Sequence, residues 1–358
     1  MNKKILLIVF LTAIVSVLVT STYFFFHPKE KVITNLKVIR KTIKFHRNIT
    51  RDSSLPANNP PVVKAVDAYH MRPDDLVLGV KYKNITRAYP RWYLVSYHVV
   101  NDTINNQPLL VTQCEVCSAA TAFLPVIKKN GLFSLSFVAC DHLKGTFSIC
   151  DVQTNTIWHP FTGLALHGQY EGIQLERVPA KMVKWKNWLR AHPDTEVVLS
   201  STEQKNRWHG HTPESDINST WLPPNMRKTA NLKNDSFAQS ELVYGFLSDH
   251  GKDTFVLSVK EINENSIKIF LYNNKKYFIL RGNDYFYSAF SSENNEVDKL
   301  TISSNNPIKI KSNNGGIWDE SGNYLEHSKI KENLVHHSGY LTEWWEWVSI
   351  NENSHLLK

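Results

Sequence analysis

One block of sequence occurs twice in the same order, and this constrains the fold more than any other feature of the chain. Leu78-Gly79-Val80 returns as Tyr244-Gly245-Phe246, 166 residues on, and Thr121-Ala122-Phe123 returns as Ser288-Ala289-Phe290, 167 on. Trp158-His159-Pro160-Phe161-Thr162-Gly163 is echoed by Trp318-Asp319-Glu320-Ser321-Gly322, 160 on. Lys184-Trp185-Lys186-Asn187-Trp188 matches Glu343-Trp344-Trp345-Glu346-Trp347, with both Trp pairs 159 apart. Any one match could be chance. Four in order, with an offset that drifts only as insertions and deletions would make it, predict two copies of one unit.

Each unit reads as β-rich. In the first copy, short apolar or alternating runs punctuated by Asn, Gly, Asp and Pro predict strands over 76–82, 85–89, 108–113, 119–126, 132–139 and 146–151. Pro90 suits the first turn of a helix over 91–97, and a second helix is expected over 183–191, stopping at His192-Pro193. Trp185 and Trp188 share a face of that second helix, and core packing is their default role. The expected fold class is α+β and β-rich: two tandem copies of one unit, each with a short Trp-bearing helix, behind an N-terminal transmembrane helix. The expected division is an anchor over 1–26, a basic juxtamembrane linker over 27–60, a first repeat over 61–200, a connecting loop over 201–240 and a second, degenerate repeat over 241–350.

The anchor follows from Ile5 to Phe26, 22 residues without a charge, enough to cross the hydrocarbon core as one helix. A cleaved signal peptide competes, but Val19-Thr20-Ser21 is a poor cleavage site and Tyr23 to Phe26 reads as an aromatic belt. Residues 1–52 hold ten Lys/Arg against Glu30 and Asp52, a balance that equals the formal charge of +8 for the whole chain. The rest of the chain is therefore neutral overall, which argues against a nucleic-acid-binding surface. Positive charge beside the membrane favours a cytoplasmic body; the short Lys-Lys start before an apolar run favours export. The expected partner is the membrane, through residues 5–26.

All four cysteines fall in the first copy: Cys114, Cys117, Cys140 and Cys150. Cys114-Glu115-Val116-Cys117 is a C-x-x-C between two predicted strands, a setting for a metal knuckle or a small disulfide rather than for a thioredoxin-type helix start. A tetrahedral metal needs further ligands, and His98, Cys140, His142 and His159 are the candidates, with His98 and His142 taken into the expected metal set. Zn or Cu(I) suits such ligands. In the redox version one cysteine attacks, the other resolves, and His98 lowers a thiol pKa. Cys140 and Cys150 flank a predicted hairpin loop, and a cross-strand disulfide is their plain reading in an oxidising compartment. At the local offset Cys114 falls on Arg281, Cys117 on Asp284 and His98 on Asn265, so the second copy lacks the site. Gly-rich phosphate loops, G-x-S-x-G and H-E-x-x-H are all missing from the sequence.

Several blocks together resemble the bacterial and archaeal family known as domain of unknown function 3179. They are Arg87-Ala88-Tyr89-Pro90, His98-Val99-Val100-Asn101-Asp102-Thr103, Val111 through Ala119 with its two cysteines, Trp158 with Gly163, and Trp185-x-x-Trp188 with His192-Pro193-Asp194-Thr195. The resemblance implies a tandem repeat, usually exported, and so an extracytoplasmic body. It implies no activity. The family's cysteine motif reads Cys-Pro-Leu-Cys-Gly where this chain has Cys-Glu-Val-Cys-Ser, and Cys140 and Cys150 look particular to this chain. The functional expectation is a membrane-anchored extracytoplasmic protein with a metal-binding or thiol-redox Cys114/Cys117/His98 site. The alternative is a non-catalytic binding or scaffold module with the C-x-x-C as a staple.

Overall fold

In the computed structural model the chain is β-rich, with six sheets of four or five strands in a propeller-like arrangement and a two-stranded ribbon of Val126–Lys128 and Leu132–Ser134. The structure describes residues 55–128, 132–143, 145–208, 227–228, 230–248, 253–292, 297–305, 307–326 and 332–357. All of them lie in one compact unit spanning 35–358. The expected anchor over 5–26 and most of the basic linker lie outside the described residues. Among the described residues no helix is long and apolar enough to cross a membrane.

The six sheets are here called blades I to VI. Blade I orders Ala180–Lys184, Leu76–Tyr82, Ile85–Pro90, Glu196–Val198 and Val62–Lys64. Blade II orders Ala57–Asn58, Val99–Ile104, Gln107–Cys114, Ala119–Leu124 and Glu176–Val178, and blade III is Phe137–Leu143, Thr146–Asp151, Ile157–Trp158 and Ala165–His167. In the second half, blade IV orders Gly339–Glu343, Leu242–Leu247, Thr254–Ser258 and His355–Leu356. Blade V is Ser266–Tyr272, Lys275–Arg281, Tyr287–Ser291 and Val335–His337; blade VI is Leu300–Asn305, Ile308–Ser312, Ile317–Asp319 and Tyr324–Glu326. Sheet by sheet, the pairing order of IV, V and VI follows that of I, II and III. In both halves the chain returns from the third blade to add edge strands to the second and then the first.

Four apolar clusters lie between blades, and a fifth, of Cys140, Cys150, Ile157 and Leu166, lies within blade III. One joins I to II through Leu78, Tyr89, Val100 and Val111, and another joins II, III and IV through Phe123, Phe137, Trp158 and Val243. A third joins IV to V through Phe246 and Ile279, and the last joins V, VI and I through Phe290, Trp318 and Val77. The four contacts close a circuit. Burial of this kind, about 25 cal/mol per Å² of apolar surface, is what holds neighbouring sheets face to face. Between blades I and II an ion network adds specificity: Arg87 spans Asp102 at 2.6 Å and Glu196 at 2.7 Å, and Tyr89 donates to Asp102 at 2.5 Å.

Three helices matter to the site: α1 (Arg91–Tyr97), α2 (Trp185–Ala191) and α3 (Trp344–Ile350). The helix expected from residue 183 begins two residues later. Val183 and Lys184 are held in strand by pairing with Val77 and Leu76, and the Trp185 amide donates to Asp75 O at 2.7 Å. The strand expected over 119–126 stops at Leu124, before Pro125, and resumes as Val126–Lys128. The run expected over 132–139 divides into Leu132–Ser134 and Phe137–Leu143, with the Phe137 amide taken by the Asn101 side chain.

Gly79 and Gly245 explain why the two Trp helices sit where they do. A Cβ on Gly79 would lie 2.2 Å from Trp188 Cε3, and one on Gly245 would lie 2.4 Å from Trp347 Cε3. Each strand is therefore bare at the point where an indole lies flat on it. The indole N–H groups are satisfied alike, Trp188 by Thr195 Oγ1 at 3.0 Å and Trp347 by Ser354 Oγ at 2.8 Å. Gly79→Ala and Gly245→Ala should each lower stability by about 1–3 kcal/mol, the usual range for overpacking a filled core, as read from urea unfolding midpoints. Unchanged midpoints in both variants would show that the indoles are not seated as described.

Candidate functional site

The cysteine pair closes a hairpin of blade II. Gln107–Cys114 pairs with Ala119–Leu124 through Cys114↔Ala119, so Glu115 to Ser118 make the turn, with Ser118 in the left-handed region at φ 57°. Cys114 and Cys117 are bonded to each other with Cα atoms 5.4 Å apart, and the two residues are 2 % and 0 % exposed. The Cys117 Sγ rests 3.5 Å from Thr146 Oγ1 of blade III. From the other half of the chain, Glu343 N and Thr342 Oγ1 both donate to Cys117 O, at 3.2 and 2.8 Å.

His98 follows α1 directly, with its N–H donating to Leu94 O and its carbonyl accepting from Gln113 N. Its φ of 58° recurs at the corresponding Asn265, where φ is 55°, in a half with no cysteine. The left-handed bend thus occurs without cysteines nearby and is not a strain special to them. His98 Nδ1 lies 3.3 Å from Gln113 O and 3.2 Å from Glu115 Oε2. Both neighbours are acceptors, which assigns the ring proton to Nδ1. Burial pushes the Glu115 carboxyl up, but His98 first, with the Glu115 backbone amide and Arg91, holds it below its usual value.

The expected metal set of Cys114, Cys117, His98 and His142 is not assembled. Among the described residues no group of three or more His, Cys, Asp or Glu side chains is placed to hold a metal ion. The two sulfurs are joined as a disulfide and offer no thiolate, His98 Nδ1 is committed to Gln113 and Glu115, and His142 sits in a strand opposite Phe147. His159 is elsewhere again: its Nδ1 accepts from Thr162 N at 3.0 Å, and its Nε2 lies 3.4 Å from Glu346 Oε1 of α3, both residues being buried. Cys140 and Cys150 meet as expected, across the blade III hairpin with Cα atoms 5.8 Å apart.

A second concave feature lies where the edge strands Glu176–Val178, Ala180–Lys184, Val335–His337 and Gly339–Glu343 converge. It is a central pocket of ≈ 90 Å³ lined from five of the six blades, and Arg177, Lys181, Tyr244, Glu320 and His336 give it its polar groups. Arg177 and His336 occupy matching rungs, opposite Phe123 in blade II and Phe290 in blade V. Sequence reading passed over Arg177, Tyr244 and Glu346. Setting the two halves of the chain against each other strand by strand would have placed Arg177 against His336, which was the one available signal.

Residues 52–354 match the family described as protein of unknown function (DUF3179). No curated protein and no solved structure matches the chain.

The Glu115 carboxyl gives a pH test. Its folded pKa lies below the unfolded value near 4.5, so the stability it contributes is present above that value and lost as pH falls through the lower folded one. Glu115→Gln should therefore flatten the fall in urea midpoint below pH 5. An acid limb identical to that of the parent chain would remove the His98–Glu115 interaction from the account.

Proposed function

The chain belongs to the family described as protein of unknown function (DUF3179), and we propose that it is a membrane-anchored, extracytoplasmic binding module whose C-x-x-C is a structural staple. The observation that carries this reading is the setting of Cys114 and Cys117. Both are buried, and the carbonyl of Cys117 is gripped by two donors from the opposite half. A thiolate from another molecule attacks in line with the S–S bond, and reaching these sulfurs would require that grip to open. The pair instead fixes the turn on which blade IV docks.

Two disulfides in one body fit an oxidising compartment, which favours the extracytoplasmic orientation over the cytoplasmic one suggested by the charge of residues 27–52. Residues 5–26 then act as the anchor and 27–60 as a basic spacer outside the bilayer. The matching blade order, the matching Gly–Trp contacts and the matching left-handed residues favour a duplicated unit, with the cysteines confined to the first copy. In that copy the disulfide takes the place that Asp284 fills in the second.

The half-exposed His98–Glu115 pair beside the turn is the one observation that favours a thiol-redox role, and the cysteine substitutions separate the two readings. Chain-entropy arguments give about 2 kcal/mol for a loop as short as 114–117 and about 3 kcal/mol for 140–150. Cys114→Ser with Cys117→Ser in the full-length chain should cost no more than the first figure. The parent chain should show no catalysed reduction of insulin by dithiothreitol, and a chelator should leave its melting temperature unchanged. Catalysed exchange that disappears in the double variant would establish the redox reading instead. A chelator-induced drop in melting temperature would establish the metal reading.

A further inference from the structure

The central pocket carries positive charge that the fold does not use. Its charged lining is Lys81, Arg177 and Lys181 against Glu320. Lys181 and Glu320 cancel, at 2.6 Å with both side chains largely buried. Lys81 at the rim is exposed. Arg177 stands deeper. Its guanidinium donates to Phe161 O and lies over the Phe123 ring at 5.4 Å. Its Nε is buried without a hydrogen-bond partner, and among the described residues no carboxylate pairs with it. Burial pulls its pKa down to about 10, with only the Tyr244 and Tyr340 hydroxyls opposing.

A guanidinium withdrawn from water with a vacant N–H is costly unless an acceptor reaches it. Phe161 O meets one edge of the guanidinium, but the surrounding residues supply no acceptor for Nε. His336, across the pocket at the matching rung, holds its Nε2 on Ser288 Oγ at 2.9 Å and brings no negative charge. A cation would meet repulsion here and find no free carboxylate. An apolar ligand would leave Nε unpaired. A planar or tetrahedral oxyanion meets both needs, because the guanidinium fork matches its paired oxygens. The volume of ≈ 90 Å³ limits the ligand to a small group or to the head of a larger one entering from the rim.

We propose that the central pocket binds a small oxyanion, a carboxylate, phosphate or sulfate group, with Arg177 as its principal contact and Lys81 at the entrance. The proposal rests on the binding-module reading for its purpose. Its test does not touch the cysteines, so the two fail separately.

The test is isothermal titration calorimetry of the full-length chain in detergent with sodium acetate, inorganic phosphate and sulfate, each at constant ionic strength. At least one of the three is expected to bind saturably at one site per chain, and the pattern among them tells carboxylate from phosphate or sulfate. Arg177→Gln should weaken that binding about tenfold or more, as expected for loss of a charge-assisted hydrogen bond. Lys81→Gln, at an exposed position where folding is not at stake, should weaken it severalfold, whereas Lys311→Gln outside the pocket should not. Saturable binding by none of the three anions overturns the proposal. So does affinity that is unchanged in both Arg177→Gln and Lys81→Gln, or that falls equally in Lys311→Gln.

Discussion

Everything in this fold depends on a reciprocal grip between the two halves of the chain. The blade II turn offers Cys117 O to Thr342 and Glu343, at the entrance to α3. The blade V turn offers Asp284 Oδ2 to Lys184 N at 2.9 Å and Asn187 Nδ2 at 2.8 Å, at the entrance to α2. Each half thus holds the residue from which the other half's Trp helix begins. Those helices lay Trp188 and Trp347 on Gly79 and Gly245, and the strands bearing these glycines are interior strands of blades I and IV. A four-residue turn at one side thereby fixes the packing of a blade from the other half.

This grip also separates the two candidate sites by kind. The cysteines sit inside the contact, where a covalent bond makes the turn rigid and where solvent and partner thiols are kept out. In the second half the same job is done by a carboxylate accepting two hydrogen bonds, with no sulfur at all. That two chemistries serve one position is the physical argument for reading the disulfide as structure. The pocket, by contrast, lies where the four edge strands meet, and there the halves differ: Arg177 in one, His336 in the other. An asymmetry that packing does not require is where ligand recognition can reside.

Much of the framework was legible in the sequence because it follows from local rules. Leu76–Tyr82 and Thr146–Asp151 are short apolar runs between turn residues and form at their expected bounds. Arg91–Tyr97 forms behind Pro90. The cysteine pairing across the blade III hairpin followed from the spacing of Cys140 and Cys150 around a turn. What was not legible was set by distant partners. Glu176-Arg177-Val178 looks like polar loop, and becomes strand because Val178, Arg177 and Glu176 pair with Ala122, Phe123 and Leu124. Val183 reads as the start of a helix and is kept extended by Val77. The C-x-x-C spacing was visible, but it could not reveal that Glu343, 226 residues later, would cover it. Arg177 carries no motif; its meaning comes from its unpartnered Nε and from the absence of a paired carboxylate among the described residues.

The reciprocal grip is tested most directly by hydrogen–deuterium exchange on Asp284→Gly in the full-length chain. Glycine keeps the left-handed backbone at this position, where φ is 58°, and removes both hydrogen bonds to the opposite half. Two such bonds to a carboxylate predict a loss of about 2–4 kcal/mol in the free energy of global opening. The account predicts that the slowest-exchanging amides fall together by this amount in Leu76–Tyr82 and in Leu242–Leu247, because neither half keeps its packing alone. A loss confined to blades IV, V and VI, with protection in Leu76–Tyr82 unchanged, would contradict it.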